Sequence, residues 1–129
     1  MTTPLQVSMG RLAQPVTDDD HVRGPADAPV TLVEYGDYEC PYCGAAYPVV
    51  EAVLADRAGV VRFAYRHFPL TNVHPNAEIA AESAEAAGAH GLFWPMHDWV
   101  FTHQDRLDPP PMSTTRVGRS PGRSAVAPR

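Results

Sequence analysis

Cys40 and Cys43 are the only cysteines in this chain of 129 residues, and only Pro41 and Tyr42 lie between them. A pair spaced in this way holds a metal ion, staples a fold as a disulfide, or carries electrons by thiol–disulfide exchange. A structural zinc site asks for four ligands, usually supplied as two CxxC-type pairs. The second pair is absent, so no metal is expected. A persistent structural disulfide belongs to an oxidising compartment. The N-terminal stretch MTTPLQVSMGRLAQPVTDDD has no continuous apolar block of the signal-peptide kind, so a cytoplasmic protein is expected. Two inert, buried thiols are the bland alternative.

The elements that must position the pair weigh against that alternative. Val30–Gly36 (VTLVEYG) is an apolar, β-branched run bounded by Pro29 and Gly36, which predicts a buried strand. After the cysteines, Ala46, Val49, Val50 and Val53 follow the spacing of an amphipathic helix that should end at Gly59 and kink at Pro48. Val60–Phe68 reads as a second strand, stopped by Pro69. Strand, CxxC turn, helix and strand make a βαβ unit with parallel strands and a right-handed crossover. The first sulfur then meets the free N–H groups and positive end of a helix, which favour its thiolate. Electron carriage is the chemistry this placement serves. The segment HPNAEIAAESAEAAGAHG predicts a further helix with Pro75 in its first turn, and LFWPMHDWVFTHQ a shorter, aromatic-rich one. Phe93, Trp94, Trp99 and Phe101 are expected in the core.

VEYGDYECPYC, followed by RHFPL, HPNAEIAAESAEAAG and FWPMHDWVFTHQ, resembles the DsbA-like thiol–disulfide oxidoreductases from about His21 to Asp108. The resemblance implies an α/β chain: a thioredoxin-like βαβ unit with a helical insertion. It implies Cys40 as the exposed attacking cysteine and Cys43 as the resolving one, with Pro41 and Tyr42 tuning the redox pair. Glu34, six residues before Cys40, matches the buried acid that exchanges protons with the resolving thiol. Desolvation on a core-facing strand position would raise its pKa. No cofactor is implied, and the partners are protein or small-molecule thiols and disulfides. His97 and Asp98 match a structural MHD element. Asp37 and Glu39, if ionised, oppose thiolate formation at Cys40.

The family's second half, a ββα segment carrying a cis-proline that faces the CxxC, has no counterpart in the remaining sequence. Residues 109–129 hold five Pro and no acid or aromatic residue, a composition that predicts disorder. All 15 acids precede them, and net charge passes from −9 over residues 1–108 (6 Arg against 15 acids) to +4 beyond. So abrupt a change suggests a truncated or shifted reading frame. The expected organisation is therefore a flexible lead-in over 1–20, a partial thioredoxin-fold domain over 21–108, and a tail over 109–129. The net charge of −5 argues against a nucleic-acid surface, and no apolar run is long enough for a membrane span. An open sheet edge would invite self-association. Two other readings stay open: a glutathione-dependent reductase of the glutaredoxin kind, where the CPYC dipeptide also occurs, and a redox-inactive remnant that acts as a binding module.

Overall fold

The structure, a computed structural model, describes residues 11–108. The 109–129 tail and the first half of the lead-in lie outside the described residues. The elements run β1 (His21–Arg23), β2 (Val30–Gly36), α1 (Pro41–Asp56), β3 (Val61–His67), α2 (Ala77–Gly88) and α3 (Phe93–Thr102), with a 3-10 turn at Gln104–Arg106.

β2 and β3 pair in parallel, Val30 opposite Val61 through Gly36 opposite His67. The βαβ unit with its helical insertion is thus present as the sequence implies. β1 was not anticipated. Its three residues pair antiparallel with β3, His21 opposite Tyr65, giving the sheet order β1-β3-β2. Among the described residues β2 is therefore an edge strand and β3 is central. Phe63, Ala64 and Tyr65 of β3 are the most deeply buried run in the sheet. Burying a large side chain of this type contributes about 1.5–3 kcal/mol. The described residues hold only these three strands and no cis peptide bond.

Helix α1 runs on through Pro48, and the chain leaves it by a turn in which Gly59 takes φ +83°. Its apolar phase differs from the one predicted. Val49 and Val53 are exposed, at 62% and 39%, while Cys43, Tyr47, Val50 and Leu54 pack against the core. Those four follow the same i, i+4, i+7 logic, shifted by one step. Tyr47 and Leu54 offer more apolar area than Ala46 and Val53, so burying them wins.

α2 begins at Ala77, with Asn76 as its N-cap, so Pro75 lies before the helix rather than in its first turn. The Glu39 carboxylate accepts from the Asn76 main-chain N–H (2.7 Å) and from its Nδ2 (2.9 Å), which holds that residue in the loop. α2 buries Ala77, Ala80, Ala81 and Ala84, and α3 buries Phe93, His97, Val100 and Phe101. Small side chains on α2 let α3 approach closely. Trp94 is partly buried against Phe63, but Trp99 is 44% exposed and stacks on His103 instead of entering the core. Within the lead-in, Asp20 accepts from Arg66 Nε at 2.7 Å and ties residue 20 to β3.

Candidate active site at the head of helix α1

The site grows from the turn that ends β2. Asp37 is 4% exposed, and its carboxylate is fully used. Oδ1 accepts from the N–H groups of Glu39 (2.8 Å) and Cys40 (3.2 Å), which shapes the chain for entry into α1. Oδ2 accepts from Leu70 N–H (2.9 Å) and His74 Nδ1 (2.8 Å), which fastens the loop after β3 to the same point. These hydrogen bonds outweigh the cost of burial and hold the Asp37 carboxyl below the usual carboxylate range. Asp37 and Glu39 are thus structural anchors for this turn as well as charges near Cys40.

Cys40 is the N-cap of α1 (φ −67°, ψ 124°), with Pro41 at the start of the helix. Its side chain makes no cap hydrogen bond. Cys43 lies one turn further in, on the face that meets the core. Both thiols are free and both are partly buried, so exposure does not separate them. What separates them is placement. Burial pushes the Cys43 thiol up, the Cys40 sulfur and the Glu34 charge add to this, and the Asp37 main-chain N–H opposes it. Tyr42, between them, is 85% exposed.

Glu34 lies opposite Tyr65 in the β2–β3 register, and Leu32 lies opposite Phe63. The alternation of the strand therefore puts Glu34 on the face that carries the core, not on the solvent face. Desolvation there raises its carboxyl above the ordinary value. The structure thus brings Glu34, Cys40 and Cys43 to one end of the sheet, with Pro41 and Tyr42 at its rim.

Gln104 was not singled out from the sequence. Its Nε2 donates to the main-chain carbonyls of Tyr38 (2.8 Å) and Cys40 (2.9 Å), clamping the cysteine turn to the end of α3. Nothing in a local pattern marks such a residue, because its partners are 66 and 64 positions away. Below the clamp, Tyr38 and His97 are each 1% exposed, and the Tyr38 hydroxyl donates to His97 Nδ1 at 3.0 Å. Burial depresses His97 to about 3, so its ring is neutral and able to accept that bond. His97 is the structural member that the MHD element implied.

Comparison with known proteins places this geometry. The family described as thioredoxin matches residues 16–114. The Na(+)/H(+) antiporter NhaA 1 of Salinispora arenicola is 60% identical over 92 residues, covering 71% of this chain and 14% of the antiporter. That of Mycolicibacterium vanbaalenii is 48% identical over 99 residues, 76% of this chain and 16% of the antiporter. The chain therefore spans only about a seventh of the length of the curated relatives it matches. Among solved structures, BdbD from Bacillus subtilis aligns with a TM-score of 0.62 at 30% identity, over 70% of this chain and 51% of BdbD. DsbA2 from Pseudomonas aeruginosa aligns with a TM-score of 0.58 at 29% identity, over 70% of this chain and 50% of DsbA2. A family match that runs the length of the described fold, joined to these neighbours, makes the chain a member of the thioredoxin family with a DsbA-like fold.

Proposed function

We propose that the chain exchanges disulfides through Cys40 and Cys43, with Glu34 as the proton carrier for Cys43. The observation that carries this reading is the division of labour at the head of α1. One cysteine is the N-cap residue of the helix, and the other, its thiol raised by burial, feels the charge of an acid whose pKa is itself raised by burial. In the reductive direction the Cys40 thiolate attacks a substrate disulfide. A Cys40–substrate S–S bond forms, the substrate S–S bond breaks, and the departing thiolate takes a proton from solvent. Cys43 then gives its proton to Glu34 and attacks the Cys40 sulfur. The Cys40–Cys43 disulfide forms, and the second substrate sulfur leaves as a thiolate that takes a proton from solvent. Glu34 returns its proton to solvent, and the pair has lost two electrons to the substrate. With oxidised protein and a dithiol substrate the same steps run in reverse.

The substrates are protein or small-molecule thiols and disulfides. Ion antiport, the activity named for the curated relatives, is not carried over to this segment. Among the described residues no helix is long and apolar enough to cross a membrane.

The test is a trapping experiment on the full chain. Cys43→Ser should accumulate a mixed disulfide through Cys40, since attack survives and resolution is lost, while Cys40→Ser should form none. In the reduced wild type, Cys40 should alkylate first near neutral pH, because the raised Cys43 thiol stays protonated. Equal alkylation of both cysteines, or adducts through Cys43, would overturn the assignment.

A further inference from the structure

Three side chains that the exchange chemistry does not use converge on the core face of the sheet, beside Tyr65 and Phe93. His21 comes from β1, His67 from the end of β3, and Glu85 from α2. Their nearest ligand atoms all lie within 4.8 Å of one another. His21 Nε2 is 2.5 Å and His67 Nε2 is 2.8 Å from the same oxygen, Glu85 Oε2. Two imidazole nitrogens and one carboxylate oxygen are the donor set of three-ligand zinc sites, which leave a fourth position for water or another ligand.

The rings are held for the purpose by packing. His21 lies flat on Phe93, with centroids 3.5 Å apart and planes within 4°. His67 meets Tyr65, Tyr38 and Phe93 edge-on at 5.6, 5.8 and 6.0 Å. Its Nδ1 is buried and has no hydrogen-bond partner among the described residues, so the aromatic walls fix the ring. Both Nε2 atoms are thereby turned to one point. Glu85 is half exposed, which gives an ion a path in from solvent.

Seating an ion there asks for shifts on the order of 1 Å. A tetrahedral ion with bonds of about 2.0–2.1 Å separates its ligand atoms by about 3.3 Å. Glu85 Oε2 would have to withdraw from each nitrogen by less than about 1 Å, within the reach of a rotamer change in a partly exposed glutamate. The two nitrogens, within 4.8 Å of each other, would have to close by up to about 1.5 Å. We propose that His21, His67 and Glu85 form a binding site for a divalent cation of the zinc class, separate from the cysteine pair, clamping β1 to α2.

The experiment uses the full chain with Cys40 and Cys43 oxidised to their disulfide, so that no thiolate competes. Zinc is titrated by calorimetry. Cobalt(II) is added in parallel to read the coordination from its visible spectrum. One equivalent of zinc should bind, and cobalt should give tetrahedral ligand-field bands with no thiolate charge-transfer band. Outer-shell changes at such sites weaken binding about 10–100-fold, so losing a ligand should weaken it at least about 100-fold. Glu85→Gln and His67→Gln should each do so, and both keep a polar side chain of similar reach should truncation to alanine unfold the chain. Glu82→Gln, an exposed acid on the same helix, should leave the affinity unchanged. Failure of the oxidised wild type to bind zinc would overturn the site. So would binding that survives both substitutions, or cobalt bands of octahedral type. The thiol trapping described above is indifferent to these outcomes, so the two readings fail separately.

Discussion

Gly44→Ala is the substitution on which ordinary helix rules and this structure disagree. Gly44 lies in the first turns of α1, where alanine in place of glycine normally gains about 0.5–1 kcal/mol. Here a Cβ would sit 2.1 Å from Gln104 Oε1, 2.6 Å from its Cδ and 2.9 Å from its Nε2. The far end of a flexible side chain gives way first, so Gln104 should swing out and surrender its hydrogen bonds to the Tyr38 and Cys40 carbonyls. Two such bonds are together worth about 1–3 kcal/mol. The loss exceeds the helical gain, and the variant should be less stable by about 1 kcal/mol. In a domain of this size that lowers Tm by about 4–8 °C. The decisive measurement is a cycle with Gln104→Ala, read by urea unfolding of the reduced protein. With Gln104 already gone, Gly44→Ala should reverse sign and stabilise by about 0.5–1 kcal/mol, a coupling of about 1–3 kcal/mol. An equal stabilisation in both backgrounds refutes the clamp.

Three further outcomes are expected. Glu34→Gln should slow resolution of a trapped mixed disulfide more than attack, measured by quenched-flow alkylation. Because the folded Glu34 carboxyl lies above its ordinary 4.5, the folded state holds the proton longer than the unfolded one, and stability falls as pH rises through that window. Glu34→Gln should flatten that part of the urea-midpoint profile. His97 acts on the acid side: its folded value of about 3 against an ordinary 6.5 means that the unfolded chain binds the extra proton. Stability should fall as pH drops below 6.5, by up to about 1.4 kcal/mol per unit, and level off near 3. Tyr38→Phe, which leaves His97 Nδ1 buried without its donor, should cost about 1–3 kcal/mol in the same assay.

How much of this was legible in the sequence follows the range of the interactions. β2 and β3 declare themselves because β-branched apolar runs sit between Pro and Gly punctuation, and the cysteines between them fix where α1 starts. The phase of α1 did not declare itself. Two apolar stripes compete on that helix, and only the sheet beneath decides for Cys43, Tyr47, Val50 and Leu54. β1 is three residues long, too short for any alternation to show, and owes its existence to β3. Trp99 read as core from its type alone, but its position on α3 points away from the sheet. In the site, Cys40 and Cys43 could be named because their spacing is local, and Glu34 because the family resemblance implied it. Gln104, the Asp37 connections and the His21–His67–Glu85 cluster join residues far apart in the chain, and composition carries no trace of them.

The double attachment of Asp37 has a consequence for how this end of the molecule breathes. The amides of Glu39, Cys40 and Leu70 all end on one carboxylate, and that of Asn76 ends on the neighbouring Glu39. No one of them can open for long while the others stay closed, so these four positions should exchange deuterium together as one sub-global unit. Water, and with it any reagent seeking Cys43, would then arrive through a single concerted opening of the turn and the loop after β3. The fraying of helix α1 from its own end would contribute little.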